Sequence, residues 1–101
     1  MSYDLAVWEG PTPEDEFEAA GYYGELYDEW HRSSDAPSVA ITAFVVALQA
    51  REPDVEVKAA GPFAFVSVGR KRRDEGAYAA AQIAGEQGLV CFDPQTEQLR
   101  P

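Results

Sequence analysis

Apolar positions alternate with polar ones at the start of the chain. Tyr3, Leu5 and Val7 stand against Asp4, Ala6 and Trp8, the period-two pattern of a strand, which Gly10-Pro11 breaks. From Thr12 to Arg32 the period lengthens. At about 100° per residue, Phe17, Ala20, Gly24, Tyr27 and His31 share one side, widened by Tyr23 and Trp30. Thr12 reads as the N-cap of this helix, Pro13 as its first residue, and Asp15 sits near a capping-box position. Gly21 and Gly24 interrupt the pattern, which points to close packing there or to a kink at Gly21.

Ser33 to Pro37 is a turn by composition. Ile41, Phe44, Val45 and Leu48 then recur at helical spacing within a mostly apolar run that Pro53 ends, so this second helix should be substantially buried. Val55 and Val57 alternate with Asp54, Glu56 and Lys58, as a short exposed strand or a loop. FAFVSV (63–68) is apolar on both faces apart from Ser67 and reads as an interior strand. Asp74 or Glu75 caps a third, alanine-rich helix that Gly88 ends, and LVCF (89–92) is the last strand, stopped by Asp93-Pro94. Leu99 can tuck back from the polar tail.

The pattern therefore predicts helices near 13–31, 39–51 and 75–87, and four strands in which Leu5, Val7, Phe65, Val66 and Val90 are largely buried. The order is β-α-α-β-β-α-β. Fusing the first two helices into one crossover gives a single α+β domain over residues 1–101, of the split βαβ or ferredoxin-like type. Right-handed crossovers set the first and third strands side by side with the helices on one face of a four-stranded sheet. The other face would stay open to a ligand or to a second copy of the chain.

Composition narrows the function. The formal charge is -10, from 18 acids and 8 bases. That disfavours nucleic acid and anionic membranes, both of which call for basic surfaces. No run approaches the ~18–20 apolar residues that span a bilayer. The N-terminus lacks a basic, apolar secretory pattern, and the lone Cys91 excludes an internal disulfide framework. The expectation is a soluble cytoplasmic protein.

The opening SYDLAVWEG and the closing GLVCFDPQTEQLRP resemble the two ends of a family of short, uncharacterised bacterial proteins. Its members begin with SYDLAVWEG-like strands and end with a GLVCYDPQ-like strand and turn. The middle matches only as an Ile41/Phe44/Leu48-Pro53 helix pattern. The resemblance implies a stand-alone bacterial domain and supplies no catalytic residue. The short, acidic layout is also similar to some immunity proteins that neutralise toxin domains.

Few residues carry chemistry. Cys91 lies in an apolar strand and reads as a buried thiol; His31, the only histidine, sits where a helix C-terminus favours positive charge. One His and one Cys make a poor transition-metal set, and the spacing of a calcium loop is absent, so neither metal nor cofactor is expected. Glu14, Glu18, Glu25, Asp28 and Glu29 project from the first helix opposite its apolar side, with Tyr22 at their edge. An aromatic among carboxylates resembles an interface anchor or a cation-binding position. Arg32 is the only base in the first 36 residues. The leading expectation is non-catalytic binding of a basic protein partner through this face; the simpler account is solubility. The alternative is a small-molecule or phosphate-binding module, conceivably enzymatic, using the open sheet face and the run Arg70, Lys71, Arg72 and Arg73, which precedes a helix N-terminus.

Overall fold

The computed structural model describes residues 3–69 and 73–100. Three helices pack on a five-stranded, fully antiparallel sheet. The strands are β1 (Tyr3–Trp8), β2 (Glu56–Ala60), β3 (Phe63–Val68), β4 (Val90–Asp93) and β5 (Gln98–Leu99), and their order across the sheet is β2-β3-β1-β4-β5. The helices are α1 (Glu16–Arg32), α2 (Val39–Arg51) and α3 (Arg73–Glu86). The segment expected as a strand or a loop at 55–58 is a strand, shifted to Glu56–Ala60. The expected neighbours β1 and β3 do pair, with Leu5 opposite Val66. The expected four strands become five because Leu99 folds back beside Phe92.

The helices do not share one face. Leu5, Val7, Ala64, Val66, Val68 and Cys91 point to one side, where Ile41, Phe44 and Leu48 of α2 and the alanines of α3 cover them. Ala6, Trp8, Phe63, Phe65 and Phe92 point to the other, where α1 lies. The cause is the linker. Gly61, in the β2–β3 turn, donates its N–H to Ala36 O and accepts from Ser38 N, so the chain passes the end of the sheet between α1 and α2. A sheet this apolar on both faces needs a layer on each side. The open face expected for a ligand or a second copy of the chain is therefore occupied by α1.

Rings fix α1 in place. Trp8, 1% exposed, stacks on Phe63 at 6.3 Å and 6° and meets Phe92 at 5.9 Å. Tyr23 reaches both Phe63 and Phe92, Tyr27 reaches Phe65, and Trp30 reaches Phe63 and Phe65. Offset and tilted pairs at these separations add to the area they bury. The Trp30 Nε1–H donates to the Lys58 carbonyl at 3.1 Å, tying α1 to the outer strand β2.

The inward side of α1 centres on Ala19, Tyr23, Leu26 and Trp30, about 130° round from Phe17, Gly24 and His31 at 100° per residue, so of the expected side Ala20, Tyr23, Tyr27 and Trp30 face the sheet and Phe17 does not. Phe17 is 90% exposed. The start of the helix moves too: Asp15, not Thr12, is the N-cap, its carboxylate accepting from Glu18 N at 2.8 Å. Pro13 and Glu14 precede the helix. Likewise α3 begins at Arg73, so Asp74 and Glu75 lie in its first turn and do not cap it. By contrast, α2 spans the predicted range, capped by Ser38.

A polar knot around the buried Asp93 joins the start of β1 to the end of β4. Asp93, 3% exposed, accepts from the Tyr3 hydroxyl, from Gln95 N at 2.9 Å and Nε2 at 2.6 Å, and from Thr96 N at 3.3 Å. Gln95 also exchanges hydrogen bonds with the Asp4 backbone. Burial pushes the Asp93 carboxyl up, but the hydrogen bonds from Tyr3, Gln95 and Thr96 outweigh it and hold the group below its ordinary range. A depressed carboxyl contributes stability that is complete above the unfolded pKa, near 4, and drains away as pH falls through the folded value. Thermal unfolding followed from neutral pH to about pH 2.5 should show an acid limb that Asp93→Asn flattens.

Two glycine substitutions should act in opposite directions. A Cβ on Gly76 would sit 2.4 Å from Val68 Cγ1, a stiff, buried side chain, so Gly76→Ala should cost about 1–3 kcal/mol by overpacking. Nothing lies within 4 Å of a Cβ on Gly24, and the same holds at Gly21, so neither marks a close approach. Gly24→Ala should stabilise by about 0.5–1 kcal/mol. Urea denaturation of both variants checks the pair of signs.

Candidate docking groove

The predicted acidic face divides when placed on the fold. Glu14 lies outside α1 and donates its backbone N–H to Glu18 Oε1 at 3.1 Å. Glu18 therefore serves the helix start. Asp28 is exposed, and its carbonyl accepts from Arg32 Nε at 3.2 Å. Tyr22, Glu25 and Glu29 remain, and the structure gathers them with Leu26 at i, i+3, i+4 and i+7 on one flank of α1.

That flank faces the loop leaving β1. Together they line a cavity of about 200 Å³, with Trp8, Glu9, Gly10 and Pro11 on the opposite wall. The Glu9 N–H donates to Pro62 O at 3.0 Å and fixes this wall to the β2–β3 turn. Gly10 has φ of +150°, a region nearly closed to other residues, so the wall depends on glycine there. A second cavity of about 300 Å³ is lined by Leu26, Glu29, Trp30, Arg32, Ser33, Asp35 and the turn from Ala60 to Phe63. Leu26 and Glu29 belong to both cavities, which therefore adjoin as one groove along the seam between α1 and the sheet. Its floor is apolar and aromatic and its rim carries carboxylates. In the smaller cavity those carboxylates are of one charge sign, and such a cleft over low-dielectric walls focuses the field.

Of the residues that line the groove, Tyr22, Glu25 and Glu29 are among the sequence-predicted candidates, whereas Glu9, Leu26 and Asp35 are not. The signal for Leu26 was present, since it completes the helical spacing with Tyr22 and Glu29. Glu9 and Asp35 lie in loops, and only the fold brings them to α1.

The other candidates separate. Arg70, Lys71 and Arg72 lie outside the described residues. Arg73 opens α3 with its guanidinium 4.8 Å from the centre of the Tyr3 ring, a cation–π contact. It lines neither groove cavity, nor another of about 260 Å³ beside Tyr78, Asp93 and Arg100. No group of three potential metal ligands occurs among the described residues. His31 stacks on Tyr27 over the α1 face, at 6.1 Å and 9°, whereas Cys91 points into the α2–α3 layer. The sheet separates them, so they cannot form a nucleophile–base pair.

No family model, curated protein or solved structure matches the chain. Among the described residues no helix is long and apolar enough to cross a membrane.

Cys91 is 2% exposed, and burial pushes its thiol up to about 12. A thiol reagent at neutral pH should therefore leave folded protein almost unlabelled and react fully once urea unfolds it. Rapid labelling of the folded protein would place Cys91 at an open surface instead.

Proposed function

We propose that this chain is a non-catalytic interaction domain that captures a basic protein partner through the acidic flank of α1. The observation that carries the reading is the convergence of Glu25 and Glu29 with Tyr22 on an apolar-floored groove, in a chain of net charge -10. A carboxylate row on a plain helix surface serves solubility equally well. A row that borders a groove with an aromatic at its edge has the anatomy of an interface, an apolar centre inside a polar rim. Complementary charge speeds encounter and selects basic partners. Masking a toxin that binds nucleic acid is one use of such a surface, in line with the likeness to immunity proteins, and it fits a bacterial, cytoplasmic setting.

The scaffold reading is that β1–β4 with α2 and α3 form a ferredoxin-like, split βαβ module, on which α1 is laid as a second layer. The rings, the Glu9–Pro62 hydrogen bond and the Gly10 conformation then hold the groove walls in place before any partner arrives. Pre-organisation of that kind lowers the entropic cost of association.

Binding of an acetylated octalysine peptide, followed by stopped flow at about 50 and about 300 mM salt, tests the reading. Glu25→Gln/Glu29→Gln should lower the association rate about threefold or more at low salt, and the difference should shrink at high salt. Rates unchanged by the double substitution at both salts would leave the carboxylates as a solubility device.

A further inference from the structure

The groove's two cavities differ in charge, and the difference specifies what should enter each. The smaller is bordered by Glu9, Glu25 and Glu29, with no basic residue in its lining. The larger has Glu29 and Asp35, but Arg32 also lines it, beside Trp30, Pro62 and Phe63. Arg32 is anchored by its Nε on the Asp28 carbonyl at 3.2 Å, so a cation stands at that end of the groove.

We propose that the groove reads an arginine next to an apolar side chain in an extended segment of a partner protein. The arginine occupies the smaller cavity and the apolar residue the larger. This rests on the proposed function and sharpens it from a basic surface to a two-residue recognition element.

Chemistry favours arginine over lysine in the smaller cavity. Its carboxylates arrive from two walls, Glu9 from the β1–α1 loop and Glu25 and Glu29 from α1. A guanidinium has five N–H donors in a fixed plane and can serve several carboxylates at once, whereas an ammonium is a compact point charge. The guanidinium is also the more weakly hydrated cation and stacks on aromatic rings, which suits a pocket with Tyr22 at its rim and Pro11 and Leu26 within. A methylene stem lies well on such surface. In the larger cavity the standing charge of Arg32 opposes a second cation, while Trp30 and Pro62 offer apolar surface. Leu26 and Glu29 are common to both cavities, so the two side chains sit close together along the segment.

The probes are acetylated, amidated dodecapeptides in a Gly-Ser background. Each carries one Arg, one Arg with one Leu placed one to four residues away on either side, or the same sets with Lys. Affinity is measured by titration calorimetry at about 50 mM salt, and the site is located by backbone amide NMR shifts. At its best spacing the Arg–Leu peptide should bind about tenfold tighter than both the Arg-only and the Lys–Leu peptides. Its shifts should centre on Glu9, Tyr22, Glu29 and Trp30. Tyr22→Ala should erase most of the Arg-over-Lys preference, and Glu29→Gln should weaken every basic peptide. Glu86→Gln on α3, which removes one acid from the opposite side of the sheet, should change neither. Equal, salt-sensitive binding of all the basic peptides would overturn the arginine–apolar inference and leave the proposed function standing. Absence of shifts at the groove with every peptide, octalysine included, would overturn both.

Discussion

The fit of α1 onto the second face of the sheet rests on stacked and tilted rings. Trp8 is the centre of this arrangement, flat against Phe63 and tilted against Phe92, with Tyr23 laid over both. Trp30 and Tyr27 continue the contact over Phe65. Aromatic rings have few rotatable bonds, so they transmit position well. They set the rotation of α1 about its own axis, and that rotation decides which of its residues meet the β1–α1 loop. Turned by one residue, the helix would point Glu25 away from the groove.

The groove follows from that fit. A helix laid on a twisted sheet cannot contact every strand end, and the gap opens where β1 turns away at Gly10. Its walls are held by independent means: rings on the helix side, and on the loop side the Glu9–Pro62 hydrogen bond and the Gly10 conformation. Neither wall draws on the carboxylates of the rim. Glu25 and Glu29 are exposed, whereas Glu18 is used locally at the helix start. The charges that face outward are therefore available to a partner without loosening the scaffold.

The elements were legible in the sequence; their arrangement was less so. FAFVSV reads as an interior strand because both of its faces are apolar, and it is one. That same feature required cover on both sides of the sheet, which conflicts with helices confined to one face. The conflict could have been noticed from Phe63 and Phe65 alone. The expected side of α1 is right for Tyr23, Tyr27 and Trp30 and wrong for Phe17 and Gly24, which fit a helical stripe as well as Ala19 and Leu26 do. Periodicity fixes a stripe's spacing, but only the partner surface fixes its direction. The start of α1 was ambiguous because Thr12 and Asp15 are both good caps; the Asp15 carboxylate accepts from Glu18 N, while the Glu18 carboxylate accepts from Glu14 N. The groove itself was not readable, since half of its lining is loop and turn brought together by tertiary contacts.

The central position of β1 has a consequence for how the chain is made. Its partners are β3 and β4, so Leu5 must wait for Val66 and Ala6 for Phe92. During synthesis the apolar LAVW segment emerges early and stays unpaired until the far half of the chain has followed. Pairings so distant in sequence close slowly and leave strand edges open in the meantime. The acidic stretch from Glu14 to Glu29 emerges soon after that strand, and like-charge repulsion opposes contact between chains that carry it.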